Sequence, residues 1–368
     1  MLIMKNEFCR RVVLRALIVH ALLLGLVACA GAPDVPAEAQ RSAEELQALL
    51  VSGEVTDSRG RFREVFCTVL EAHGRDLPDY RSCDEALRWT GPEQGATGAP
   101  VHLGDSRDDY LFLLVPGLGW NCFEEWLNPA FVGLANAARQ GYDVRRVEVD
   151  GLSSSANNAR MLNDYVAALP EKDRNKKLIL AGYSKGAPDV LQALVSYPEL
   201  AAKTVAVLSL AGAVKGSPLA EDATQAQANM LSMVPGSRCE KEDGDNDAVR
   251  SLIPSVREQW LRDNPLPAHI RYYSAVAFPE PERVSWALRN SYLLLGESDS
   301  RNDTQLIVFD QIIPGSTVFA LLNADHWAVA VPVARNHPVA GSTVLNHNDY
   351  PREAFLEAVL RYLEEDLR

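Results

Sequence analysis

Residues 178–186 read LILAGYSKG, and this stretch decides the fold. The apolar run 178–181 predicts a buried strand, which leads directly into a G-x-S-x-G pattern over Gly182–Gly186 and then into a helical pattern. A serine placed between strand and helix in this way occupies a sharp turn that holds its hydroxyl clear of the sheet. The flanking glycines let strand and helix pass closely without Cβ clashes. We interpret Ser184 as a candidate nucleophile rather than as a small residue in a tight turn.

Strand and helix patterns alternate on both sides of this stretch. Strands are predicted over 110–115, 143–149, 177–181, 205–210, 270–278 and 317–322, and helices over 157–169, 187–196 and 354–367. Such alternation is typical of an α/β protein with a mostly parallel central sheet flanked by helices.

A nucleophilic serine needs a base, and the base needs an orienting carboxylate. His326 follows the predicted strand 317–322 and is the only histidine on a loop directly after such a strand; the alternative is a hydrogen-bonding surface histidine. Asp303 precedes it by 23 residues and is the predicted acid. Asp299 and Asp310 compete for that role, whereas Asp325 is adjacent to the base and too close in the chain to orient it.

Acyl chemistry at a serine also needs N–H donors for the developing oxyanion. The backbone N–H of Lys185, directly after the nucleophile, is one candidate. The other is the N–H of Leu118, in the loop Pro116–Gly119 that follows strand 110–115.

These features resemble the secreted bacterial triacylglycerol lipases and esterases of the α/β-hydrolase superfamily, over roughly residues 108–330. The matching segments are VPGL at 115–118, GYSKGAP at 182–188, GS at 216–217, RYYS at 271–274, NDTQL at 302–306, and His326. The resemblance implies the α/β-hydrolase fold, with a cap insertion over about 217–267. Pro116 and Tyr183 stand where the family has histidine, and Thr304 stands where it has glycine. The family's calcium site is not evident, so no metal or cofactor is expected.

The N-terminus is typical of an exported lipoprotein. A basic segment and a short apolar run end in LVAC at 26–29, which resembles a lipobox with Cys29 as the lipidated residue; the alternative is an ordinary signal peptide. Ala30 after the cysteine suggests the outer membrane by the lipoprotein sorting rule. The predicted organisation is a signal peptide over 1–28, a tether over 29–41, a helical segment over 42–92 and a hydrolase domain over 100–368.

The charge of the chain excludes one class of partner. Removing residues 1–28, with four basic and one acidic residue, changes the net charge from −13 to −16. Nucleic acid requires a basic surface, so it is not an expected partner.

Four further cysteines are expected in an oxidising compartment, and they allow three pairings. Cys67 and Cys83 lie close together in a helical stretch, which favours their pairing. This leaves Cys122 with Cys239 as a hypothesis.

Two further features have simpler interpretations. The acidic run at 243–247 is similar to the start of a calcium loop but lacks the later ligands, so it predicts a solvated loop. Trp120, Phe123 and Trp126 line either an acyl pocket or the core.

The sequence therefore predicts a lipid-anchored serine hydrolase of carboxylic esters, with a small-molecule or lipid ester as substrate and an unknown oligomeric state. The alternatives are a thioesterase or acyltransferase with the same triad, and a non-catalytic envelope protein on a hydrolase scaffold.

Overall fold

The sheet of this protein is parallel throughout. The computed structural model describes residues 46–50, 54–106, 110–122, 133–221, 223 and 244–368. Its strands are β1 (Thr56–Asp57), β2 (Tyr110–Val115), β3 (Asp143–Arg146), β4 (Lys177–Tyr183), β5 (Thr204–Leu210), β6 (Arg271–Ala277) and β7 (Thr317–Leu322). They lie in the order β1-β7-β6-β5-β4-β2-β3, and every neighbouring pair is parallel. This arrangement confirms the predicted α/β class.

The connections between strands are mainly helical. The α-helices whose two ends are both described are α1 (Arg59–Ala72), α2 (Cys83–Ala86), α3 (Leu134–Arg139), α4 (Ser155–Ala167), α5 (Gly186–Ser196), α6 (Pro198–Lys203), α7 (Pro254–Asp263), α8 (Arg289–Gly296), α9 (His326–Ala330), α10 (Val333–Asn336), α11 (Pro338–Ser342) and α12 (Arg352–Asp366). The strands predicted at 110–115 and 317–322 have the predicted bounds, and the other predicted elements differ at their ends by up to three residues.

Alternation along β2 shows how the strands bury both faces of the sheet. Leu111, Leu113 and Val115 pack into one hydrophobic cluster with residues of α4 and α5, whereas Phe112 and Leu114 pack into a second cluster with residues of α1 and α12. Parallel strands covered by helices on both faces read as continuous apolar runs, which is the pattern that the sequence shows here.

The segment predicted as a helical preface over 42–92 also contributes a strand to the sheet. β1 pairs with β7 at the sheet edge. Next to it, Phe62 of α1 packs edge-on against Phe319 of β7, with 4.9 Å between ring centroids. Cys67 and Cys83 form a disulfide that joins α1 to α2.

Strand register brings several loops together at the carboxyl edge of the sheet. Gly182 near the end of β4 lies beside Val115 at the end of β2, and Tyr183 lies beside Leu210 at the end of β5. Ligands of open α/β sheets bind at this edge.

Several predictions fall outside the described residues: the signal peptide, the tether with Cys29, and part of the cap insertion, at 222 and 224–243. Among the helices that are described, none has the length and apolar character needed to cross a membrane.

Candidate active site

The G-x-S-x-G turn has the close packing that its sequence predicts. Ser184 has φ of +54°, in the left-handed region that non-glycine residues rarely adopt. A Cβ at Gly182 would overlap the backbone of Ala187, and one at Gly186 would overlap the carbonyl oxygen of Val115. Both flanking positions therefore require glycine. The strained turn leaves Ser184 half-buried at the start of α5.

His326 is the first residue of α9, four residues beyond the end of β7. Its Nε2 lies 2.9 Å from Ser184 Oγ, and its Nδ1 lies 2.7 Å from Asp303 Oδ2. The histidine is 4 % exposed, so water has little access to either ring nitrogen. The structure thus brings Ser184, His326 and Asp303 into one chain of hydrogen bonds.

Asp303 is held by its own loop. Its Oδ1 accepts hydrogen bonds from the backbone N–H groups of Gln305 at 2.9 Å and Leu306 at 2.7 Å. Its carbonyl oxygen accepts the N–H of His326 at 2.8 Å. These bonds fix the carboxylate in an orientation that leaves Oδ2 for the imidazole.

The competing acids have other partners. Asp299 pairs with Arg301 at 2.7 Å. Asp310 is largely buried, and burial raises its pKa to about 6, against a smaller opposing effect of Lys215. Asp325 caps α9 by accepting the N–H of Ala328 at 2.9 Å, and burial raises its pKa. In the described part of the chain, Asp303 is the only carboxylate that bonds the ring of His326.

Both predicted oxyanion donors lie near the serine. A Cβ built on Gly117 would be 2.8 Å from Ser184 Cβ, so the loop that carries Leu118 passes directly over the serine. Within the described residues, no hydrogen bond uses the backbone N–H of Leu118 or of Lys185.

A buried ion pair below the serine was not predicted from the sequence. Lys185 Nζ lies 2.8 Å and 3.0 Å from the two carboxylate oxygens of Asp189, and both side chains are 1 % exposed. Asn158 of α4 donates to the same carboxylate at 2.7 Å. The spacing of four residues at the start of a helix was the available signal, since it places both side chains on one face.

The structure describes only some of the remaining predicted residues, which are the second pair of cysteines and three aromatic residues after the oxyanion loop. Cys122 is buried and takes part in a disulfide, but Cys239 lies outside the described residues, and the pairing of these two stays a prediction. Trp120 belongs to the core, while Phe123 and Trp126 lie outside the described residues.

The acidic run, apart from Asp243 outside the described residues, contacts the segment that begins α4. Asp245 accepts the N–H of Ser154 at 2.7 Å at the start of α4. The described ranges contain no cluster of three His, Cys, Asp or Glu residues suited to a metal ion.

Comparison with known proteins places the chain in a family. No family model matches it, and neither does any curated protein. Among solved structures, the metagenomic carboxyl esterase MGS0156 is 39 % identical, with a TM-score of 0.77, over 93 % of this chain and 99 % of its own. The mature lipase BlEst2 of Bacillus licheniformis is 20 % identical, with a TM-score of 0.50, over 67 % of this chain and 95 % of its own, and this likeness shows the fold alone. The chain belongs to the α/β-hydrolase superfamily, in the family of the carboxyl esterase MGS0156.

Proposed function

We propose that this protein hydrolyses carboxylic esters through an acyl-enzyme on Ser184. The observation that carries the proposal is the continuous chain of hydrogen bonds from Ser184 through His326 to Asp303, with bonds of 2.9 Å and 2.7 Å. Side chains in this order satisfy the geometric requirement for an activated serine, in which the base contacts both the nucleophile and its orienting acid.

The reaction follows from these contacts. Ser184 Oγ attacks the ester carbonyl carbon while its proton passes to His326 Nε2, and Nδ1–H remains donated to Asp303. The tetrahedral intermediate collapses, His326 returns the proton to the departing alkoxide, and an alcohol leaves. A water then attacks the acyl-enzyme, giving its proton to His326, and the carboxylic acid is released as Ser184 recovers its proton.

The negative charge of each tetrahedral intermediate lies on the former carbonyl oxygen. The N–H groups of Leu118 and Lys185 are the proposed donors, since they lie at the serine and bond no other described group. Fixed donors of this kind typically contribute about 2.7–4 kcal/mol each to the transition state.

The surroundings of the serine favour an ester with an apolar chain. Leu118 is 37 % exposed beside the nucleophile, and Trp327 is 38 % exposed directly after the base. Large apolar side chains that stay exposed beside reactive groups commonly contact a ligand. The name of the neighbour that is 39 % identical, a carboxyl esterase, is consistent with an ester substrate.

The proposal includes export and lipid anchoring through Cys29, with an outer-membrane location. It is supported by the lipobox-like sequence LVAC and by the Cys67–Cys83 disulfide, which is stable in an oxidising compartment. Cys29→Ser is expected to release the protein from the membrane fraction. Its continued membrane association would contradict the anchor without affecting the proposed chemistry.

Hydrolysis of p-nitrophenyl esters from acetate to palmitate tests the proposed activity. We expect turnover by the wild type and a fall of about a thousandfold or more in Ser184→Ala. Thioester hydrolysis and transfer to an alcohol use the same acyl-enzyme, so the assay includes a thioester substrate and an added alcohol. A preference for either of these over ester hydrolysis would replace the proposed reaction, and turnover unchanged in Ser184→Ala would refute the mechanism.

A further inference from the structure

Tyr183, the residue directly before the nucleophile, contacts His326, the proposed base. It is the last residue of β4 and is 4 % exposed. Its hydroxyl donates a hydrogen bond of 2.7 Å to the backbone carbonyl oxygen of His326. This contact joins positions 143 residues apart in the chain, at the point where α9 begins.

The ring of Tyr183 also stacks on the imidazole. The two ring centroids lie 5.2 Å apart, and the ring planes are inclined by 29°. One side chain therefore restrains both the backbone and the ring of His326. α9 is only five residues long, so contacts from outside the helix determine where its first residue lies.

The stacked geometry matters because the imidazole changes charge during the reaction. When His326 takes the proton of Ser184 it becomes a cation, and the face of a phenol ring attracts a cation placed over it. Burial raises the pKa of Tyr183 well above its ordinary value, so the hydroxyl stays neutral and remains a donor. A neutral aromatic ring serves this purpose without adding a competing charge.

We infer that Tyr183 is a positioning residue for the base: its hydroxyl fixes the backbone of His326, and its ring supports the imidazole as it becomes charged. The inference rests on the proposed function and assigns a role to the residue directly before the serine.

Two substitutions of Tyr183 distinguish the effect of its hydroxyl on kcat from the effect of its ring. Tyr183→Phe removes only the hydrogen bond, and we expect kcat to fall by about 2- to 10-fold. Tyr183→Leu removes the ring as well, and we expect kcat to fall by about 10- to 100-fold. KM is expected to stay within about twofold in both, because uniform binding of substrate is not affected. The difference between the two variants measures the contribution of the ring.

Tyr350 provides a matched control. It is fully buried, and its hydroxyl donates to the carbonyl oxygen of Ala86 at 3.3 Å. Tyr350→Phe and Tyr350→Leu should lower the melting temperature and leave kcat of the folded enzyme unchanged. Assays are made at a temperature at which circular dichroism shows every variant folded.

Wild-type kcat in folded Tyr183→Leu would overturn the inference, as would an equal loss of kcat in Tyr350→Leu. Ser184→Ala distinguishes failure of this inference from failure of the proposed function. If Ser184→Ala is inactive while Tyr183→Leu is fully active, only the role of Tyr183 is wrong. If Ser184→Ala retains wild-type turnover, the proposed function itself is wrong.

Discussion

Lys185→Met tests how much the buried ion pair between Lys185 and Asp189 contributes to the free energy of unfolding. Both side chains are 1 % exposed, and Lys185 Nζ lies 2.8 Å and 3.0 Å from the two carboxylate oxygens of Asp189. Removal of one partner leaves the other charge buried and unneutralised, which costs about 3–5 kcal/mol. We therefore expect Lys185→Met to lower the free energy of unfolding by that amount, and Asp189→Leu to do so by at least as much.

The double variant Lys185→Met/Asp189→Leu distinguishes this explanation from lost packing. It removes both charges of the pair. The costs that remain are the amide N–H of Asn158 that loses its carboxylate partner, about 1–3 kcal/mol, and the lost attraction between Asp189 and the buried guanidinium of Arg257. The double variant should therefore be more stable than Asp189→Leu, in which Lys185 is left buried without its carboxylate. Urea unfolding at pH 7, followed by circular dichroism, measures the three free energies.

A second pair in the same chain provides the control. Arg160 and Asp164 have the same four-residue spacing at 3.0 Å, but their side chains are 46 % and 58 % exposed. Arg160→Met should cost well under about 1 kcal/mol, since exposed pairs contribute little. The reasoning would be refuted if Lys185→Met cost no more than Arg160→Met, or if the losses of the two single variants simply added in the double variant.

Two further predictions concern the loops around the acid. Thr304 is buried with φ of +88°, a conformation that costs a β-branched residue about 1–3 kcal/mol. Glycine adopts this conformation without strain but loses more backbone entropy on folding, so Thr304→Gly should raise the free energy of unfolding by about 1 kcal/mol. A lower melting temperature of the variant would contradict this. Burial raises the pKa of Asp310 from 3.8 to about 6, so the folded protein binds this proton more tightly than the unfolded chain, and stability falls as pH rises from about 4 to 6. Asp310→Asn should remove that loss and raise the free energy of unfolding by about 1–2 kcal/mol above pH 7, a value that allows for partial solvent screening. Near pH 4 the variant and the wild type should differ little. Equal free energies of unfolding at both pH values would show that Asp310 does not titrate in this way.

Much of the sheet was predictable because its strands are continuous apolar runs with clear ends. Pro116 ends β2, and the predicted bounds of that strand agree with the structure. β1 was missed because it has only two residues, and its pairing of Thr56 with Thr317 is visible only when distant segments meet. Local patterns contain no information about such a pairing.

In the candidate site, too, some residues could be predicted from the sequence and some contacts could not. Ser184, Asp303 and His326 could be proposed from motif and chain order, and the structure places their side chains in hydrogen-bond contact. The contact of Tyr183 with His326 could not be predicted, since it depends on how the end of β4 faces the start of α9. Lys185 was considered for its backbone N–H alone, although its spacing to Asp189 was present in the sequence.

The central claim is that Ser184 is an activated nucleophile, and labelling with a fluorophosphonate probe tests it most directly. The probe reacts with serines that an adjacent base has activated, and peptide mass spectrometry locates the modified residue. We predict one labelled serine in the native protein, Ser184, with no labelling of Ser184→Ala or of heat-denatured wild type. An unlabelled native protein, or equal labelling of wild type and Ser184→Ala at another residue, would contradict the account.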